Sequence, residues 1–381
     1  MQTLLKRCSI FFVYMAAALL AFSVTGWYLY ANDFLNSYPA AILLRKISLV
    51  LLFIKIIGTR YSLKQFLFFL AGSALAIYNY TLCGNTTFIY SIFFVTALKD
   101  VDLSTLFKIL FGSTTCSLLL WGTFSYLGIG DVISITQDFG RDSIETRYCW
   151  GMHHPNIWHF AFARCIVYFV LGFKNKLKWS VFIALLLLNY FAYRLTISRT
   201  GFLATTIFLL MILAYRYLPK LMQTLAVKTA ILSGIIGIYG LFLYFFYEYI
   251  TTRSDLSMLI CKKLTTGRLT KAASYLSRHP VQWFGSEFYY ETIFDCGFLR
   301  LFYDNGYILA GIFFLAFFIL LILALKHNWD VVITICIFTV LYSIYEIDPI
   351  TRPTYNFSVF FMSLLLYKDQ LKYLHKTSST P

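Results

Sequence analysis

"SIFFVYMAAALLAFSVTGWYLYA" runs from Ser9 to Ala31 without one charged side chain. A helix rises about 1.5 Å per residue, so about 20 apolar residues cross a hydrocarbon core of roughly 30 Å. The run is too long for a signal-peptide core and no small-residue cleavage pattern follows it, so it is expected to be a retained membrane span.

Working outward, apolar windows of similar length recur near 39–57, 65–83, 86–98, 104–128, 156–172, 178–194, 201–217, 229–247, 306–325, 330–346 and 355–367. The expectation is an all-α polytopic membrane protein of about 12 transmembrane helices. The whole chain, 1–381, reads as a single membrane domain, with one large extracellular loop, 248–305, holding short amphipathic helices. Composition agrees: 59% of residues are hydrophobic and 13% charged, which excludes an ordinary soluble chain. The eight cysteines show no Cys-x-x-Cys pair or metal-ligand spacing and argue against a metal cluster. Asn79, Asn85 and Asn356 open N-x-[ST] triplets, which carry meaning only in a eukaryotic secretory protein.

Orientation follows from the basic residues behind the net charge of +15. Alternate short loops hold Lys55, Arg60, Lys99, Lys174, Lys176, Lys220 and Lys326, and the ends hold Lys6, Arg7, Lys368 and Lys372. That side is expected to be cytoplasmic, with both termini in. The long loop carries Arg253, Lys262, Lys263, Arg268, Lys271, Arg278 and Arg300 on the opposite side, where a basic surplus suits an anionic ligand.

Polar clusters gather on that outer side. In "GMHHPNIWHFAFAR", 151–164, Pro155 suits a first helical turn, placing His154 and Asn156 where free N–H groups favour anions. Arg164 lies well inside the apolar stretch and should face the protein interior, since exposure to lipid there is costly. In "YRLTISRTGFLA", 193–204, Arg194 and Arg199 flank a turn with exposed N–H groups, a cradle for diphosphate. In the long loop, a helix is expected from Arg268 to about Ser277, ending before Pro280 and presenting Arg268, Lys271 and Arg278 beside apolar residues. His279 follows, then the carboxylates Glu287, Glu291, Asp295 and Asp304 among aromatic rings, a mixture suited to sugars.

Several motifs then fall in order: "HPN" (154–156) opening a span, "SRTGFL" (198–203) at an outer turn, "TGRL" (266–269) opening the long loop, "PVQWFG" (280–285), and "DCGFLRLFYDNGYI" (295–308) leading into the next span. In that order they resemble the bacterial O-antigen polymerase and ligase superfamily, and within it the repeat-unit polymerases of capsular or exopolysaccharide clusters. The resemblance covers roughly residues 150–312, and the first four spans carry no signature. It implies a metal-independent, cofactor-free glycosyltransferase in the bacterial plasma membrane, with its active site on the extracytoplasmic face. Donor and acceptor would be oligosaccharides carried on undecaprenyl diphosphate, with membrane lipid, a flippase and a chain-length regulator as partners and no nucleic acid. It places Arg199 and Arg268 on the diphosphate, with Arg164, Arg194 and Arg278 in secondary positions. His279, His154 and Glu287 are the candidate bases; His279 lacks the glycine pattern that surrounds the ligase histidine.

Three other readings stay open on sequence, one of them a purely structural or sensing membrane protein. A metal-assisted polyprenyl-phosphate-sugar glycosyltransferase would need an acidic D/E-x-D element in the first outer loop, where only Asp33 stands; "EID", 346–348, offers one late in the chain beside Arg352. A flippase or transporter for lipid-linked oligosaccharide would need ionisable residues spread through several spans.

Overall fold

The computed structural model describes residues 2–25, 37–129, 132–139, 143–263, 265, 267–286, 294–347 and 356–375. Asp33, Glu287, Glu291, Asp348 and Arg352 lie outside the described residues.

Helix dominates. In chain order the elements are α1 (Gln2–Thr25), α2 (Ser37–Ile57), α3 (Leu63–Cys83), α4 (Thr87–Ala97), α5 (Leu103–Tyr126), β1 (Ser134–Asp138), β2 (Ile144–Tyr148), α6 (Pro155–Phe173), α7 (Trp179–Thr196) and α8 (Arg199–Tyr217). They continue as α9 (Pro219–Met222), α10 (Leu225–Thr251), α11 (Asp255–Lys263), α12 (Arg268–Arg278), α13 (Gly297–His327), α14 (Asp330–Ser343), α15 (Phe357–Met362) and α16 (Leu371–His375). Among the described residues seven helices, α3, α5, α6, α7, α8, α10 and α13, are long and apolar enough to cross a membrane. Shorter apolar stretches, Cys8–Ser23 within α1 and the helices α4 and α14, accompany them. The chain is a multi-span helical membrane protein.

Local chemistry sets the helix ends. Asp102 caps α5 by accepting from the Thr105 N–H at 3.0 Å, and Thr224 caps α10 through Val227 N–H at 3.4 Å. His154 caps α6, its Nδ1 accepting from the Asn156 N–H at 3.2 Å, with Pro155 in the first turn. Asn328, at φ +55°, closes α13 in the left-handed conformation.

The stretch between α5 and α6 departs from the all-α expectation, for β1 and β2 pair there as an antiparallel hairpin with Gln137 opposite Glu145. The reason is legible in "SITQD" and "IETRY", where β-branched Ile and Thr stand close together in both strands. Thr136 and Thr146 pair hydroxyls at 2.9 Å, and Arg147 lies 3.8 Å from the Phe139 ring centre while holding Glu145.

The chain forms two compact units. The first comprises 1–66, 93–210 and 363–381, the second 67–92 and 211–362. In the first, α1 packs on α2 and α5, and α5 on α6. Four chain segments converge at one end of it: Tyr61 and Tyr367 donate their hydroxyls to the Thr96 carbonyl at 3.2 and 3.0 Å, Gln65 donates to Leu366 O at 3.1 Å, and Lys174 donates to Tyr373 O at 2.8 Å. These are segments that alternate-loop charge assigns to one side. In the second unit, α13 packs on α14 and α15, and Tyr239 of α10 stacks on Phe298 at 4.6 Å.

Candidate functional site

The residues singled out by sequence divide between the two units. In the first unit the "WGMHHP" turn between β2 and α6 is unusual backbone. Trp150, Gly151 and His153 all have positive φ, 45°, 76° and 60°. Left-handed backbone at a tryptophan and a histidine is costly, and such conformations gather at functional sites. Gly151 is also required sterically, since a Cβ there would sit 3.0 Å from the Trp121 carbonyl oxygen. Next to this turn, Trp150 and Trp158 join Tyr126, Phe162, Phe169 and Leu188 around an apolar cavity of about 670 Å³. His154, besides capping α6, meets the Phe139 ring edge-on at 6.0 Å.

Deeper in α6, His159 is fully buried and was not among the sequence candidates. Its Nδ1 lies 2.8 Å from the Thr196 hydroxyl and its Nε2 3.2 Å from Asn189 Oδ1. The Asn189 amide donates on to the Phe202 carbonyl and the Thr206 hydroxyl, both at 3.0 Å. One polar cluster therefore ties α6, α7 and α8 together. The signal was a histidine, an asparagine and a threonine isolated in apolar runs, where every polar group needs a partner. Arg164 is 0% exposed, beside the Phe160 ring at 5.7 Å. It lies roughly 15 Å along α6 from His154, from the helical rise.

Arg194 and Arg199 stand at the two sides of the α7–α8 turn, both exposed. The turn is tight because Ile197 adopts φ +52° and the buried Ser198 N–H donates to Thr196 Oγ1 at 3.3 Å. Arg194 donates to the Tyr190 hydroxyl at 3.4 Å. Arg199 opens α8, whose first-turn N–H groups have no intrahelical acceptor.

In the second unit α12 forms where the sequence placed it. It buries Leu269, Ala272, Ala273 and Tyr275 and exposes Lys271 and Arg278. Gly267, at φ +75°, turns the chain into it. Arg268 pairs with Glu346 at 3.0 Å, a partner the sequence reading assigned instead to an acidic turn with Arg352. At the other end Arg278 Nε donates to Ser274 O at 3.1 Å, and the half-buried His279 ring lies 5.0 Å from Tyr275. Arg268 and His279 are thus roughly 16 Å apart along the helix, while Arg278 and His279 are neighbours. Tyr275 in turn donates to the Tyr303 hydroxyl at 3.2 Å. Arg300 and Asp304, absent from the sequence candidates as a pair, bond at 2.6 Å next to Phe294.

Two of the family-like motifs meet here. The helix of α13 is broken at Gly306, φ +75° and ψ 172°, and the Trp-Phe-Gly turn packs into the break. Tyr307 and Ile308 N–H donate to the Gln282 and Trp283 carbonyls at 3.1 and 3.0 Å, and Ser286 N–H donates to Tyr303 O at 3.1 Å. A Cβ on Gly306 would collide with Gly285 N, Trp283 O and Phe284 N; one on Gly285 would lie 2.6 Å from Asn79 Nδ2 and 2.8 Å from Asp304 O. Asn79 donates to the Phe284 carbonyl and is fully buried, and Asn356 is nearly so.

Among the described residues no three His, Cys, Asp or Glu side chains gather in a metal-binding arrangement. No family model, curated protein or solved structure matches this chain.

Proposed function

We propose that this chain is a polysaccharide repeat-unit polymerase, joining oligosaccharides carried on undecaprenyl diphosphate at the outer face of a bacterial plasma membrane, with both termini cytoplasmic. The observation that carries the reading is α12: a helix with one face buried against the membrane helix α10, Arg268, Lys271 and Arg278 along it, and at its end His279, half-buried against the Tyr275 ring. Fixed cations on an interfacial helix suit a lipid diphosphate.

In this reading the acceptor sugar hydroxyl attacks the anomeric carbon of the donor chain. The bond from that carbon to the diphosphate oxygen breaks, and the hydroxyl proton passes to a base. The resemblance gives the diphosphate to Arg199 and Arg268, and guanidinium groups stabilise the charge that grows on a leaving diphosphate without proton transfer. Arg268 keeps further N–H donors beyond the one that meets Glu346. Arg194 and Arg278 assist, and Arg164 supports α6 from within. His279 is the leading base, with His154 and Glu287 behind it. No step calls on a metal or nucleotide sugar.

The test is polymer laddering in a deletion strain carrying wild type, Arg199→Ala, Arg268→Ala or Arg199→Lys, with membrane levels matched. Wild type should restore long chains, and each alanine variant should leave single lipid-linked repeats. Long chains from both alanine variants would remove the diphosphate assignment.

A further inference from the structure

A second polar cavity, of about 500 Å³, lies at the lysine-bearing end of the first unit. Its α6 residues, Gly172 and Phe173, lie roughly 27 Å along the helix from His154. Lys108 reaches it from the first turns of α5, Lys174 and Lys176 from the turn after α6, and Lys372 from α16. Three separate elements therefore aim ammonium groups at one space.

The cavity's three aspartates offset these lysines only in part. Asp102 is spent on the α5 cap, bonding Thr105 N–H at 3.0 Å and its hydroxyl at 2.6 Å. Asp369 accepts from the Asp100 N–H at 3.3 Å, and Asp100 lies close enough to Tyr61 to act on its phenol. Lys174 is held by the Tyr373 carbonyl and sits 3.9 Å from that ring's centre. Lys108 rests 5.3 Å from the Phe173 ring centre, and Lys176 and Lys372 are exposed, with no ion pair to another of the described residues.

Charge and position narrow the ligand. Four lysines against three aspartates leave one positive charge, 4 − 3 = 1, which matches a monoanion rather than a polyphosphate. Val101, Leu103, Phe173 and Tyr373 give the same cavity an apolar wall, at the ends of the spanning helices α5 and α6. Basic pockets between membrane helices hold anionic lipid headgroups. We infer that this cavity binds the phosphodiester of an anionic glycerophospholipid, with Lys108, Lys176 and Lys372 on the phosphate and Lys174 fixing the wall.

The experiment is native mass spectrometry of the full chain released from nanodiscs of phosphatidylglycerol and phosphatidylcholine in equal amounts. Wild type should retain phosphatidylglycerol over phosphatidylcholine about tenfold, and Lys108→Gln/Lys176→Gln/Lys372→Gln should abolish that preference. The matched variant Lys64→Gln/Lys220→Gln/Lys326→Gln, with the same change in charge, should keep it. Glycerol phosphate added in solution should not displace the lipid at equal concentration. Equal retention of both lipids by wild type, an unchanged preference in the first variant, an equal loss in both variants, or displacement by glycerol phosphate would each overturn the proposal.

Discussion

Gly306 shows how much one residue can fix. Its left-handed φ and the crowding around its missing Cβ allow no side chain, and the break it makes frees the Tyr307 and Ile308 N–H groups that the Trp-Phe-Gly turn satisfies. Gly306→Ala should therefore destabilise the protein by about 1–3 kcal/mol or more in thermal unfolding in detergent. Gly237→Ala, in α10 with nothing within 4 Å of the added Cβ, should be neutral or stabilising by up to about 1 kcal/mol. Asn189 offers a contrast in kind. Asn189→Ala removes bonds to His159, Phe202 and Thr206, and at about 0.6 kcal/mol per membrane hydrogen bond it should cost about 2 kcal/mol in the same assay. The break was open to reading in "DNG", since an Asn-Gly step inside an apolar pattern marks a turn. What it packs against was not, because no periodicity in 280–286 says that this turn lands on residues 303–308.

At the scale of elements, α12 was the most legible part of the candidate site. Its start after Thr-Gly, its stop before Pro280 and its two faces all follow from residue type. The ion pair from Arg268 to Glu346 was hidden, since 78 residues separate the partners and nothing local links them. Because both side chains keep some exposure, a double-mutant cycle with Arg268→Gln and Glu346→Gln should give a coupling in stability of about 1 kcal/mol or less. A larger coupling would make Arg268 a structural residue first. The hairpin β1–β2 was missed because two strands of five residues are short beside the long apolar runs that dominate the sequence. The cluster on the Thr96 carbonyl makes a pH prediction. Burial pushes the Tyr61 phenol from 10.0 up to about 12, so the folded state favours the neutral form. A raised folded value contributes stability that is complete below pH 10 and is lost as pH rises towards 12. Tyr61→Phe should flatten that part of the alkaline unfolding profile.

For the whole molecule, hydropathy alone predicted the helices, because each span must be long and apolar wherever it packs. The seven long helices all coincide with predicted windows, and α4 and α14, at 11 and 14 residues, are shorter than a full crossing needs. Interior polar contacts such as His159–Asn189 escaped, since composition gives no pairing. The convergence of residues 58–66, 96–102, 171–176 and 366–373 in one unit implies an even number of crossings between them. On a background with native cysteines replaced, Lys176→Cys should be labelled by an impermeant thiol reagent only after cells are opened, and Ser277→Cys in intact cells. The reverse pattern would invert the proposed topology.

The most direct measurement of the central claim is reconstitution. Purified full-length chain in liposomes would be given an oligosaccharide repeat on undecaprenyl diphosphate, and products would be resolved by size alongside the freed carrier. The account predicts a ladder of joined repeats with one undecaprenyl diphosphate released per bond formed, lost in Arg268→Ala and retained in Lys372→Gln. Repeats that cross the bilayer with no new glycosidic bond would contradict it and make the protein a flippase.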